Sequence, residues 1–127
     1  MVERVARIET NMATDLPNER FIPYVQAHEF EALVFVDLDA LPPQFPDGEA
    51  DQAPDRLKQE VGATAPEEIN DGKLTAPSKR LIREIPAYEH MKSIAGPAIA
   101  AHIGLEKLRA ACPHFDAWIA RLEALAH

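Results

Sequence analysis

A single cysteine, Cys112, leaves the 127-residue chain without an internal disulfide and fits a reducing compartment. No apolar run reaches the ~18 residues of a membrane span, and the first twelve residues carry Glu3, Arg4, Arg7 and Glu9, too many charges for a secretory leader. These absences read as a cytoplasmic protein with no membrane partner. Basic residues are scarce, 13 against 21 acidic ones, and the net charge of −8 argues against a protein that coats nucleic acid. There is no internal repeat and no low-complexity tract. The glycines of a phosphate-binding P-loop are missing, and Cys112-Pro113-His114 lacks the second cysteine or spaced histidine of a zinc site. What remains, 46% hydrophobic and 27% charged, is globular material for one domain, 1–127, able to bury about two thirds of the surface its unfolded chain exposes.

The organising stretch is Arg20–Val36. Phe21-Ile22-Pro23-Tyr24-Val25 is aromatic and β-branched and reads as a short strand, placed at an edge or a strand start because Pro23 donates nothing to a ladder. From His28 the spacing of Phe30, Leu33 and Val34 switches to a helix. Ahead of it, Val2, Val5, Ile8 and Met12 predict an amphipathic helix over Val2–Leu16. After it, Asp37 caps a helical turn that Pro42, Pro43 and Pro46 stop, and 44–53 reads as an exposed loop. Pro54–Val61 is a helix ended by Gly62, and Thr64 with Glu67 forms a capping box for a brief helix ending near Asn70-Asp71-Gly72. Another helix starts at Thr75 or Ala76, presents Leu81, Ile82 and Ile85 to a core, and closes at Pro86. A further helix opens at Gly96-Pro97 and ends at Gly104. Leu105 through Leu122 repeats apolar residues like one long helix, but the residue before Pro113 is pushed from helical geometry, so a break is expected at Cys112. One strand without a partner is awkward: it needs a second copy or a larger fold to satisfy its backbone.

Two clusters carry candidate chemistry. In His28-Glu29-Phe30-Glu31, the acids either complement a positive helix end or deliver metal ligands from a strand end; His28 and Glu31 can share a helix face. A Mg²⁺ ion keeps several waters, so one or two carboxylates would serve if other ligands came from elsewhere. Ser78-Lys79-Arg80 at a helix start is either a phosphate cradle or a solvated first turn; cations there oppose the helix dipole. Tyr88 and Lys92, four apart, can line the same wall or simply lie on the surface. Cys112, Phe115 and Trp118 sit on the apolar stripe and read as core, while His90 and His102 carry no signal. Residues 1–70 hold 15 acids and 5 bases, residues 71–127 hold 6 and 8. That asymmetry suits a metal side facing a phosphate side, or merely an acidic loop at Asp47, Glu49, Asp51 and Asp55.

The words FIPYVQAHEFEALVF, PEEIND, TAPSKR and IGLEKLRAACPHFDAWIARLEAL resemble the C-terminal half of a bacterial family, domain of unknown function 4276, from about Arg20 to Leu125. That family is similar to Toprim-type proteins, which hold Mg²⁺ on acidic strand ends and act on phosphodiesters. The acidic, glycine-containing turn and second acidic strand end expected ahead of the FIPY segment are absent. The resemblance therefore implies the C-terminal portion of a larger fold: α/β, predominantly helical, partial Toprim-like, with one or two strands and about five to seven short helices. It also implies an uncertain enzyme, a Mg²⁺-dependent nuclease of a phage-defence or DNA-processing system, inactive or nearly so as this portion. Glu29 and Glu31 would hold the metal and, with Lys79, act in catalysis; His28, Thr75, Ser78, Arg80 and Lys92 would bind substrate. Implied partners are nucleic acid, an ATPase or a second copy. The alternative is a non-catalytic interaction module that pairs its edge strand with a partner or a second copy.

Overall fold

In the computed structural model the described residues are 2–26, 29–69 and 72–125, and they form helices and turns only. The order is α1 (Val2–Asp15), 3-10 segments at Phe30–Val36, Leu38–Ala40 and Pro42–Gln44, α2 (Ala53–Val61), a 3-10 turn at Pro66–Glu68, α3 (Pro77–Glu84), a 3-10 segment at Pro86–His90, α4 (Lys92–Ile103), α5 (Leu105–Ala111) and α6 (Pro113–Ala124). The α/β expectation is corrected: among the described residues there is no strand, and 21–26 is irregular backbone with no ladder. Of its β-prone side chains, Tyr24 is laid against α6 instead. An edge-strand pairing therefore has no strand to start from in these residues. None of the described helices is long and apolar enough to cross a membrane.

The centre of the molecule is Phe30–Val36, which packs on α3, α4, α5 and the Pro66–Glu68 turn. Seven residues is long for a 3-10 helix, whose hydrogen bonds are poorly aligned. Burial compensates: Ala32, Leu33, Val34 and Phe35 are consecutive and all buried, and each large apolar side chain removed from water contributes about 1.5–3 kcal/mol. Around it lie Leu41, Phe45, Leu57, Ile69, Leu81, Ile85, Ile99 and Cys112. Segment 44–53, expected as an exposed loop, anchors this core through Phe45 and Ala50. The helix expected to open at Gly96-Pro97 begins earlier, at Lys92, with Pro97 inside it. As the sixth residue of the helix, the proline removes the bond to the Ser93 carbonyl and crowds that oxygen, and burial of Ala95, Ile99 and Ile103 holds the helix together.

Several junctions follow the sequence closely. Asp37 accepts the Asp39 amide at 3.1 Å, Gly62 turns the chain at φ 56° after α2, and Cys112 separates α5 from α6 with φ −125°. The Thr64 capping box does not form: the Pro66–Glu68 turn is preceded by Ala65 with no side-chain cap, and Glu67 reaches elsewhere.

Candidate functional site

Helix α3 begins at Pro77 after Ala76, a residue with no side-chain acceptor for the first amides. Glu29 supplies one from 49 residues away: its Oε2 accepts the Ser78 N–H at 2.8 Å. A carboxylate there also meets the positive end of the helix dipole. The HEFE and TAPSKR words are thus in direct contact. Beside them Glu31 Oε1 accepts the Tyr88 hydroxyl at 3.1 Å. Tyr88 is fully buried, which removes the surface alternative, and burial first, then the Glu31 charge, pushes its phenol upward so that it stays a donor.

The basic residues divide. Arg80, 8% exposed, donates from Nε to the Thr75 carbonyl at 2.6 Å and from Nη1 to Glu60 at 2.6 Å, where Arg83 also pairs. Its fork is engaged in holding α3 to α2. Lys79 is exposed and has no ion pair among the described residues, and Lys92 stands exposed at the start of α4. Ser78 is buried, and Thr75 takes part through its carbonyl. His28 lies outside the described residues. Among those described, no group of three or more His, Cys, Asp or Glu side chains could hold a metal ion. Glu29 and Glu31 each accept an internal hydrogen bond, so this donor set alone does not make a Mg²⁺ centre.

A second place was not legible as a site. Between α1 and α6 lies a cleft of about 540 Å³, with Pro23 and Tyr24 also lining it. On α6 the lining residues His114, Ala117, Trp118 and Arg121 recur at helical spacing; on α1 so do Ala6, Thr10 and Ala13. The Tyr24 ring stacks on His114 with centroids 5.1 Å apart and on Trp118 at 4.6 Å, each pair 20° from parallel. His114 Nε2 lies 3.0 Å from Glu9 Oε1 and 3.1 Å from the Val25 carbonyl. Both partners are acceptors, which places the hydrogen on Nε2. The start of α6 repeats the device of α3: Cys112 offers no side-chain cap, and Glu67 takes the His114 amide at 2.9 Å and the Phe115 amide at 3.1 Å. Its stripe with Phe115 predicts Trp118 in the core, whereas the structure places it on the cleft wall. The available signal was the run of small and hydroxyl residues, Ala6, Thr10, Ala13 and Thr14, too small to fill the space opposite it.

Burial also sets the protonation of this region. Desolvation, then the Glu67 charge, pushes the Cys112 thiol up to about 12, and burial with the nearby Glu67 pushes the Tyr24 phenol to about 12. Both acids stay neutral in the fold, whereas in the unfolded chain the thiol ionises near 9.0 and the phenol near 10.0. Stability is therefore unaffected by these groups below pH 9 and falls as pH rises from there towards 12. Urea midpoints measured from pH 8 to about pH 10.5 are expected to drop in the upper part of that range; a flat profile would contradict the burial assigned to both groups.

A family model described as a domain of unknown function (DUF4276) matches residues 1–123. No curated protein and no solved structure matches the chain. The match includes α1, ahead of the words that first suggested the family. It does not extend to the Toprim likeness or to a C-terminal half.

Proposed function

The chain belongs to the DUF4276 family, a domain of unknown function, and we propose that it serves as a non-catalytic binding module whose ligand sits between α1 and α6. The observation that carries this reading is the cleft itself. Its volume of about 540 Å³ falls within the roughly 300–1,000 Å³ of small-molecule sites, and it joins apolar walls to a few oriented polar groups. The Cys112 thiol suits the reducing cytoplasm in which the reading places the module. The uncharged fluorescent probe N-phenyl-1-naphthylamine is expected to bind once per chain. Ala117→Leu, at an exposed helical position that lines the cleft, narrows it and is expected to weaken that binding at least tenfold while leaving the circular dichroism unchanged. Equal binding by both proteins would remove the reading.

A second reading, Toprim-like Mg²⁺-dependent phosphodiester cleavage in a defence or DNA-processing system, has one observation in its favour. The Glu29 carboxylate meets the start of α3 at Ser78, next to exposed Lys79, so the acidic and basic words share one place. Metal donors beyond Glu29 and Glu31, and nucleic-acid, ATPase or second-copy partners, would have to complete it. Calorimetric titration with Mg²⁺ or Mn²⁺ decides: this reading expects heat from wild type that Glu31→Ala reduces. Absent heat, or the same heat from both proteins, eliminates it.

A further inference from the structure

We infer that the α1–α6 cleft takes a planar aromatic ring bearing one anionic group, with the ring against Trp118 and the anion on Arg121; this rests on reading the cleft as a ligand site. The charge pattern supplies the first argument. Glu9 Oε1 is hydrogen-bonded within the cleft by His114 Nε2 at 3.0 Å, whereas Arg121 has no ion pair among the described residues. Of the two charged side chains lining the cleft, Glu9 already holds a hydrogen-bond partner, and the one with no ion pair, Arg121, is positive. A guanidinium suits a carboxylate, sulfonate or phosphate through paired N–H donors, and a cationic guest would meet repulsion.

Shape and ring chemistry supply the second. Trp118 and Tyr24, stacked on each other, both line the cleft beside Arg121, which lies one turn further along α6, so a guest ring in contact with the part of the indole that Tyr24 leaves uncovered brings its substituent within reach of the guanidinium. Ala6 and Ala13 on the facing helix leave the depth a flat guest needs. The Thr10 and Thr14 hydroxyls donate to the Ala6 and Thr10 carbonyls at 2.9 and 3.0 Å. Their oxygens keep lone pairs for a guest's N–H or O–H groups.

The test compares two probes with one ring system, neutral N-phenyl-1-naphthylamine and anionic 8-anilino-1-naphthalenesulfonate. The anion is expected to bind wild type roughly tenfold more tightly, as a hydrogen bond between charged groups allows. Arg121→Ala is expected to bring the ratio close to one, and Arg121→Glu to invert it. Displacement of the sulfonate by indole-3-acetate but not tryptamine, or by adenosine 5′-monophosphate but not adenosine, supports the inference and identifies a carboxylate or a phosphate guest. A ratio near one in wild type, or one that Arg121→Ala leaves intact, overturns the charge assignment while the neutral probe's binding keeps the cleft. If the neutral probe binds Ala117→Leu as well as wild type, the cleft reading fails and this inference with it.

Discussion

Arg80→Ala is expected to lower the unfolding free energy by about 2–4 kcal/mol, measured by urea denaturation. Arg80 is 8% exposed and bridges two elements, through the Thr75 carbonyl on one side and Glu60 on the other. Truncation leaves that carbonyl without its donor and removes the packing of the side-chain stem. The loss stays at the lower end of what breaking a buried pair costs, because Glu60 is partly solvated and keeps Arg83. Arg80→Lys retains the charge without the fork and is expected to recover only part of the loss. A guanidinium held ready for substrate would give the opposite pattern, with stability within about 0.5 kcal/mol of wild type.

Glu67→Ala is expected to cost about 2–3 kcal/mol, more than an ordinary cap substitution, because one carboxylate serves two amides at the start of α6. The loss of negative charge at the positive end of that helix adds to it. Glu67→Gln keeps a single acceptor oxygen and should fall between the two. Since α6 carries His114, Trp118 and Arg121, the same variant is expected to weaken probe binding in the cleft. Thr64→Ala is expected to be nearly neutral by urea denaturation, which separates the observed cap from the local capping box.

These two residues also show what the sequence could and could not reveal. Helix positions were largely legible: the 3–4 spacing of α1, the glycine after α2, Pro77 opening α3 and the break at Cys112 are all consequences of near neighbours. Pairings across the fold were not. Both α3 and α6 begin with proline after a residue lacking a side-chain acceptor, and the acceptors arrive from Glu29 and Glu67, 49 and 47 residues distant. A proline-started helix without a polar cap signals that an acceptor is missing but does not say where it comes from. The same gap hid the partners of Glu29 and Glu31, one a backbone amide and the other a buried phenol. Residues 21–26 carry strong β propensity, yet that preference depends on a neighbouring strand, and none is present among the described residues. Tyr24 found an aromatic wall on α6 instead. For Trp118, helical spacing shows which side of the helix is apolar, not whether a core or an open cleft faces it.

Trp118 is the chain's single tryptophan, so its emission reports on the cleft alone. Titration of the intact protein with N-phenyl-1-naphthylamine, excited through that indole, is the most direct measurement. Quenching of Trp118 in step with the rise of probe emission, saturating at one probe per chain and lost in Ala117→Leu, is the predicted result. Probe binding that leaves Trp118 emission unchanged, or that persists in Ala117→Leu, would contradict the account.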